Sequence, residues 1–106
     1  MYDSVPFNGS AGWFEVGGTS VGPPQWSALI AIANSMRAAG SKTLITGSQG
    51  VLYDAAKEAD GNYHDIARGR DGTCGAECKA APDYDYVTGL GTPRADRLIP
   101  DLADLP

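Results

Sequence analysis

The chain has 106 residues, 42% hydrophobic and 20% charged, the make-up of one small globular unit with a modest core. A net charge of −5 argues against nucleic acid and against an anionic membrane surface as partners. No apolar run is long enough to span a bilayer, and no basic segment followed by an apolar stretch opens the chain, so neither a membrane anchor nor a signal peptide is expected.

Residues 1–12 are rich in turn formers (Pro6, Asn8, Gly9, Ser10, Gly12) and read as loop. Trp13-Phe14-Glu15-Val16 is aromatic and β-branched, a short strand ending at Gly17-Gly18. The next element is the clearest. Trp26, Leu29, Ile30, Ala33 and Met36 repeat at helical spacing, while Ala28, Ala31 and Ile32 fill the other faces. A helix apolar nearly all round is a central one, wrapped by other elements. Pro23 and Pro24 fit only its first turn, and Gly40 suits its C-terminal cap.

Residues 41–48 read as loop and Gln49–Ala59 as a weaker helix. Tyr63–Ile66 forms a short strand, and 67–83, with four Gly or Pro and both cysteines, a loop. Tyr86–Thr88 reads as a brief strand before the turn Gly89-Leu90-Gly91-Thr92-Pro93, and Arg94–Leu102 as a closing helix bent at Pro100. Residues 54–106 carry eleven acids against six bases, whereas 1–53 are balanced, which favours a cation site or an acidic working environment. So few strands cannot cover so apolar a helix. The covering sheet is therefore expected upstream, in a longer protein of which this chain is the C-terminal piece.

Two places can carry chemistry. In Gly17-Gly18-Thr19-Ser20 a hydroxyl stands where a tight turn meets a helix start, whose unpaired N–H groups and partial positive charge suit a nucleophile and its oxyanion. The plain alternative is that Thr19 or Ser20 is a helix cap. Near the other end, Asp65 and Asp85 flank a loop with no packing of its own. The pair suits a cation site, and the alternative is a solvated acidic loop. Cys74 and Cys78 form a disulfide worth about 2 kcal/mol in the chain-entropy estimate, or supply zinc with His64 and Asp71, or stay as reduced thiols. A Ser20–His64–Asp65 triad is disfavoured, because neighbours on a strand point to opposite faces.

Taken together, Gly18-Thr19-Ser20 with Pro24 and the following Trp26-Ser27-Ala28-Leu29-Ile30-Ala31 resembles the sedolisin (serine-carboxyl peptidase) family, relatives of the subtilisins that work in acid. An additional proline, Pro23, precedes the motif proline. His64-Asp65-Ile66 and Ala81–Pro93 resemble the calcium site of that family in order and spacing, although glycine is commoner there at the positions of Ala81 and Asp83. The resemblance spans about residues 11–93. It implies an α/β fold, the C-terminal fragment of a subtilisin-like three-layer architecture, mostly helices and loops with a few short strands. Ser20 would be the nucleophile at the head of a helix over 20–39. In the calcium region 64–93, Asp65 and Asp85 would bind through carboxylates, and Ile66, Ala81 and Asp83 through main-chain carbonyls.

The same resemblance implies a secreted peptidase acting on peptides or proteins. Its base is a glutamate backed by an aspartate, and a further, protonated aspartate holds the oxyanion together with a backbone N–H. All three precede the serine in the family. Only Asp3 and Glu15 precede Ser20 here, neither in a matching motif, so the chain alone is expected to be inactive without the upstream part of its domain. A calcium-stabilised remnant or binding domain is the runner-up, and an unrelated zinc- or disulfide-held module the third reading.

Overall fold

The computed structural model describes residues 1–47, 49–58 and 61–106. In chain order the elements are β1 (Tyr2–Phe7), β2 (Ser10–Trp13), a 3-10 turn at Thr19–Val21, α1 (Gly22–Ala39), α2 (Gly50–Glu58), β3 (Tyr63–His64), a 3-10 turn at Gly75–Cys78, β4 (Thr92–Pro93) and α3 (Ala95–Asp104). The result is an α/β mixture of three helices with two small antiparallel sheets, β1–β2 and β3–β4.

The core lies between the helices. Ala33 of α1, Ala55 of α2, and Leu98 and Leu102 of α3 are fully buried, with Trp26, Ile30, Val51, Leu52 and Ile99 packed around them. Leu98 and Leu102 stand one turn apart, so α3 presents a single apolar stripe. Small residues on α1 and α2 let the leucines approach closely. At the far end of α1, Arg37 is buried and donates to the carbonyls of Thr43, Leu102, Leu105 and Pro106. Lys42 adds bonds to the carbonyls of Ala103 and Asp104. Two cations therefore satisfy the orphan carbonyls where α3 ends. Buried Asn62 ties the helices from below, donating to the Ala55 carbonyl and to Asp101 Oδ2.

Several expectations need correcting. Residues 1–12 are a β-hairpin rather than loop: Asn8 (φ 50) and Gly9 (φ 81) make a two-residue turn that pairs Phe7 with Ser10, Asp3 with Gly12 and Tyr2 with Trp13. Trp13 closes β2, and 14–16 form no strand. Tyr86–Thr88 is a turn, and the strand expected over Tyr63–Ile66 stops at His64. The last helix runs through Pro100 to Asp104. Ala59, the expected end of α2, lies outside the described residues. Gly40 does end α1, its N–H bonded to the Met36 carbonyl, with the left-handed step taken by Ser41 at φ 57.

Helix α1 is sparsely covered. It is not wrapped within this chain: only Ala33 and Arg37 are buried, while Ile32 and Met36 are about half exposed. The hairpin also stands clear, with Tyr2, Val5, Phe7 and Trp13 between 60% and 82% exposed. The radius of gyration is 17.0 Å, against about 13 Å for a compact domain of this length. The accessible surface is 7610 Å², where a compact monomer of this mass shows about 5,600 Å².

Candidate functional site

Gly18 has φ 141 and ψ 153, a backbone region open essentially to glycine alone. That conformation swings the chain into the 3-10 turn, with the Val21 N–H on the Gly18 carbonyl. Ser20 sits in the middle of the turn and is exposed, and its hydroxyl has no hydrogen-bond partner among the described residues. The capping alternative fails, since the N-cap of α1 is Val21 and no side chain caps the helix. Within the turn the Val21 and Gly22 N–H groups are used, and residues 23 and 24 are prolines. The amides of Thr19 and of Ser20 itself have no acceptor among the described residues, so they are the donors this turn leaves for an oxyanion.

At the other candidate site, the β3–β4 pair sets the geometry. Tyr63 pairs with Pro93 and His64 with Thr92. Gly91 (φ 87) lies against the His64 carbonyl so closely that a Cβ there would overlap backbone. This contact holds Asp65, the next residue, beside the loop that runs from Ala81 to Gly91. Asp65 Oδ2 accepts the Asp83 N–H at 3.0 Å. Asp83 itself has φ 68, a left-handed conformation that Asp adopts more readily than most residues.

Asp85 organises the loop from inside. Its Oδ1 accepts the N–H groups of Val87 and Thr88, both at 2.8 Å, and its Oδ2 accepts the Ala81 N–H and the Thr88 hydroxyl. Asp85 and Gly89 also exchange backbone bonds. The Thr88 and Ala81 amides, ahead of the Thr88 hydroxyl and the Val87 amide, bring the Asp85 carboxyl down to about 2. Both nominated carboxylates thus reach one loop, together with Ala81 and Asp83. Among the described residues no group of three or more His, Cys, Asp or Glu could hold a metal ion, so any ion here would depend on main-chain oxygens. Carboxylates and carbonyls of one tight loop are donors that suit a hard cation.

The disulfide joins Cys74 and Cys78, which removes both sulfurs as zinc ligands. It closes a ribbon in which Arg70 pairs with Lys79 and the Asp71 N–H bonds the Cys78 carbonyl. His64 pairs within β3–β4 and Asp65 is engaged by Asp83, which agrees with setting the triad aside. Sequence reasoning missed Arg37 and Asn62. Arg37 had a signal, as the only charged residue in an otherwise apolar helix.

Comparison with known proteins bears on the family. Over 92 residues the chain is 36% identical to tripeptidyl-peptidase sed1 of Aspergillus fumigatus, covering 86% of this chain and 14% of that protein. Over 98 residues it is 32% identical to physarolisin of Physarum polycephalum, covering 87% of this chain and 17% of that one. These likenesses support the sedolisin family and a peptidase as the parent protein. The chain spans only about a sixth of the length of these relatives. No protein-family profile matches it, and no solved structure matches it significantly. Among the described residues no helix is long and apolar enough to cross a membrane.

Proposed function

We propose that this chain is the C-terminal portion of the catalytic domain of an acid-acting serine-carboxyl peptidase, secreted, with Ser20 as nucleophile. The observation that carries the reading is the Ser20 hydroxyl itself. It is exposed on a glycine-made turn, without a hydrogen-bond partner among the described residues, within a segment similar to a named peptidase. In the reaction, Ser20 Oγ attacks the carbonyl carbon of the scissile peptide and its proton passes to a carboxylate base. The carbonyl oxygen becomes an oxyanion until the amine leaves. The unpaired Ser20 amide is one donor for that oxyanion, and the base and a second donor would be carboxyl groups of the rest of the domain. Carboxyls can divide those roles in acid, where one is charged and another neutral.

The chain alone is therefore inactive. Its bulk role is to hold Ser20 on α1, whose exposed apolar face is covered by the rest of the domain. For calcium, the residues have the right donor chemistry, and Asp85 would exchange some of its four loop hydrogen bonds for the ion. Asp65 and Asp85 would hold it with the carbonyls of Ile66, Ala81 and Asp83, and the ion would pin the 81–91 loop to the end of β3. The Cys74–Cys78 disulfide accords with an oxidising destination.

The test joins this chain to its upstream region and follows peptide cleavage at pH 3–5. Ser20→Ala should lower turnover by about a thousandfold or more, with melting unchanged. Cleavage that survives Ser20→Ala would rule the reading out.

A further inference from the structure

Beside the calcium loop lies a feature that neither nucleophile nor metal uses. Tyr53 of α2, Tyr84 and Tyr86 form a row with successive ring centres 6.3 Å apart. All three are exposed, from 45% at Tyr53 to 81% at Tyr86. The row opens onto a hollow of about 280 Å³ lined by Tyr63, Asp65, Asp83, Tyr84, Leu90 and Ala56. In the reading above, Asp65 is committed to calcium and Asp83 contributes only its main-chain oxygen. The Asp83 side-chain carboxylate is left over: it makes no ion pair and accepts no hydrogen bond among the described residues. It also stands at φ 68, where glycine would be easier.

We propose that the Tyr53–Tyr84–Tyr86 row and the Asp83 carboxylate form a docking track for an extended polypeptide carrying Lys or Arg side chains. Three observations on different scales converge on that occupant. Tyrosine faces attract ammonium and guanidinium groups, and the Asp83 carboxylate, which lines one hollow with the middle ring Tyr84, adds an opposite charge. The ring spacing is close to the repeat of alternate residues on one face of a strand, about 6.6 Å. Tyr84, Tyr86 and Asp83 lie in the half of the chain (54–106) that holds all the excess acid, eleven against six bases, so a cationic segment is drawn to it and an anionic one repelled. The track needs neither Ser20 nor catalysis, so its fate is separable from the peptidase reading.

The test uses the purified chain in calcium-containing buffer with two fluorescent nonapeptides, one alternating Thr and Lys, the other Thr and Glu, so that in an extended strand the charged side chains share one face. Fluorescence anisotropy should show saturable, salt-sensitive binding of the Lys peptide alone. Asp83→Gly suits the backbone, so it should melt no lower than the parent yet bind about threefold or more weakly. Tyr86→Ala should weaken binding similarly, Tyr84→Phe should keep it by keeping the ring face, and Tyr2→Ala in the hairpin should change nothing. Equal binding of the Glu peptide, or parental affinity in both Asp83→Gly and Tyr86→Ala, would overturn the proposal.

Discussion

The Ser20 turn and the Asp85 loop are built on opposite plans. Ser20 stands on a turn where neither its own amide nor its hydroxyl has a partner among the described residues. Asp85 is buried, and both of its carboxylate oxygens are fully engaged by the loop around them. The loop is self-contained: its side chain folds its own backbone. The turn is presented rather than completed, as expected of a group whose partners come from elsewhere. Local satisfaction therefore separates what this chain can do for itself from what it contributes to something larger.

The contrast can be broken most forcefully at Gly91. A methyl group there overlaps the backbone of His64 and meets a left-handed φ. Gly91→Ala should cost about 3 kcal/mol or more in denaturant unfolding. A near-neutral result would mean that β3 does not press on the loop. Asp85→Ala comes next, because it strips the acceptor from three amides and a hydroxyl. It should lower the melting temperature and remove loop protection in hydrogen exchange. The carboxyl sits at about 2 when folded, below the ordinary 3.8. Its contribution is present above pH 4 and drains away as pH falls from about 4 towards 2. The parent should lose stability across that window, and the Ala variant should lose less.

Calcium sharpens the same contrast. Saturating the ion at about a hundred times its dissociation constant adds about 2.7 kcal/mol. Chelation should therefore lower melting by several degrees in the parent and by much less in Asp65→Asn. The smallest effect belongs to Ser20→Ala, within about 0.5 kcal/mol on stability, since the hydroxyl bonds to nothing in the fold. A large loss there would show that Ser20 is structural.

How much was legible in the residues follows the same division. The apolar spacing of α1, its proline start and Gly40 end were readable because they are local. The hairpin was also written locally, in Asn8-Gly9 between β-forming residues, but the density of turn formers drew the reading to loop. Tyr86–Thr88 has strand-forming residues, and Asp85 overrides them by capturing the Val87 and Thr88 amides in a turn. Arg37 reads as a solvent-facing charge until α3, more than sixty residues later, brings its carbonyls to it. In the proposed reading, the all-round apolarity of α1 describes an environment larger than this chain. For that reason the helix is legible while its burial is not realised here.

The central claim is that Ser20 becomes reactive only when carboxyl groups from the rest of the domain reach it. A serine-directed acylating reagent, with the modified residue mapped by mass spectrometry, measures this directly at pH 3–5. Ser20 should be labelled rapidly when the chain is joined to its upstream region, and no faster than any surface serine in the isolated 106-residue chain. Equal labelling in both forms, or none at Ser20 in the longer protein, would contradict the account.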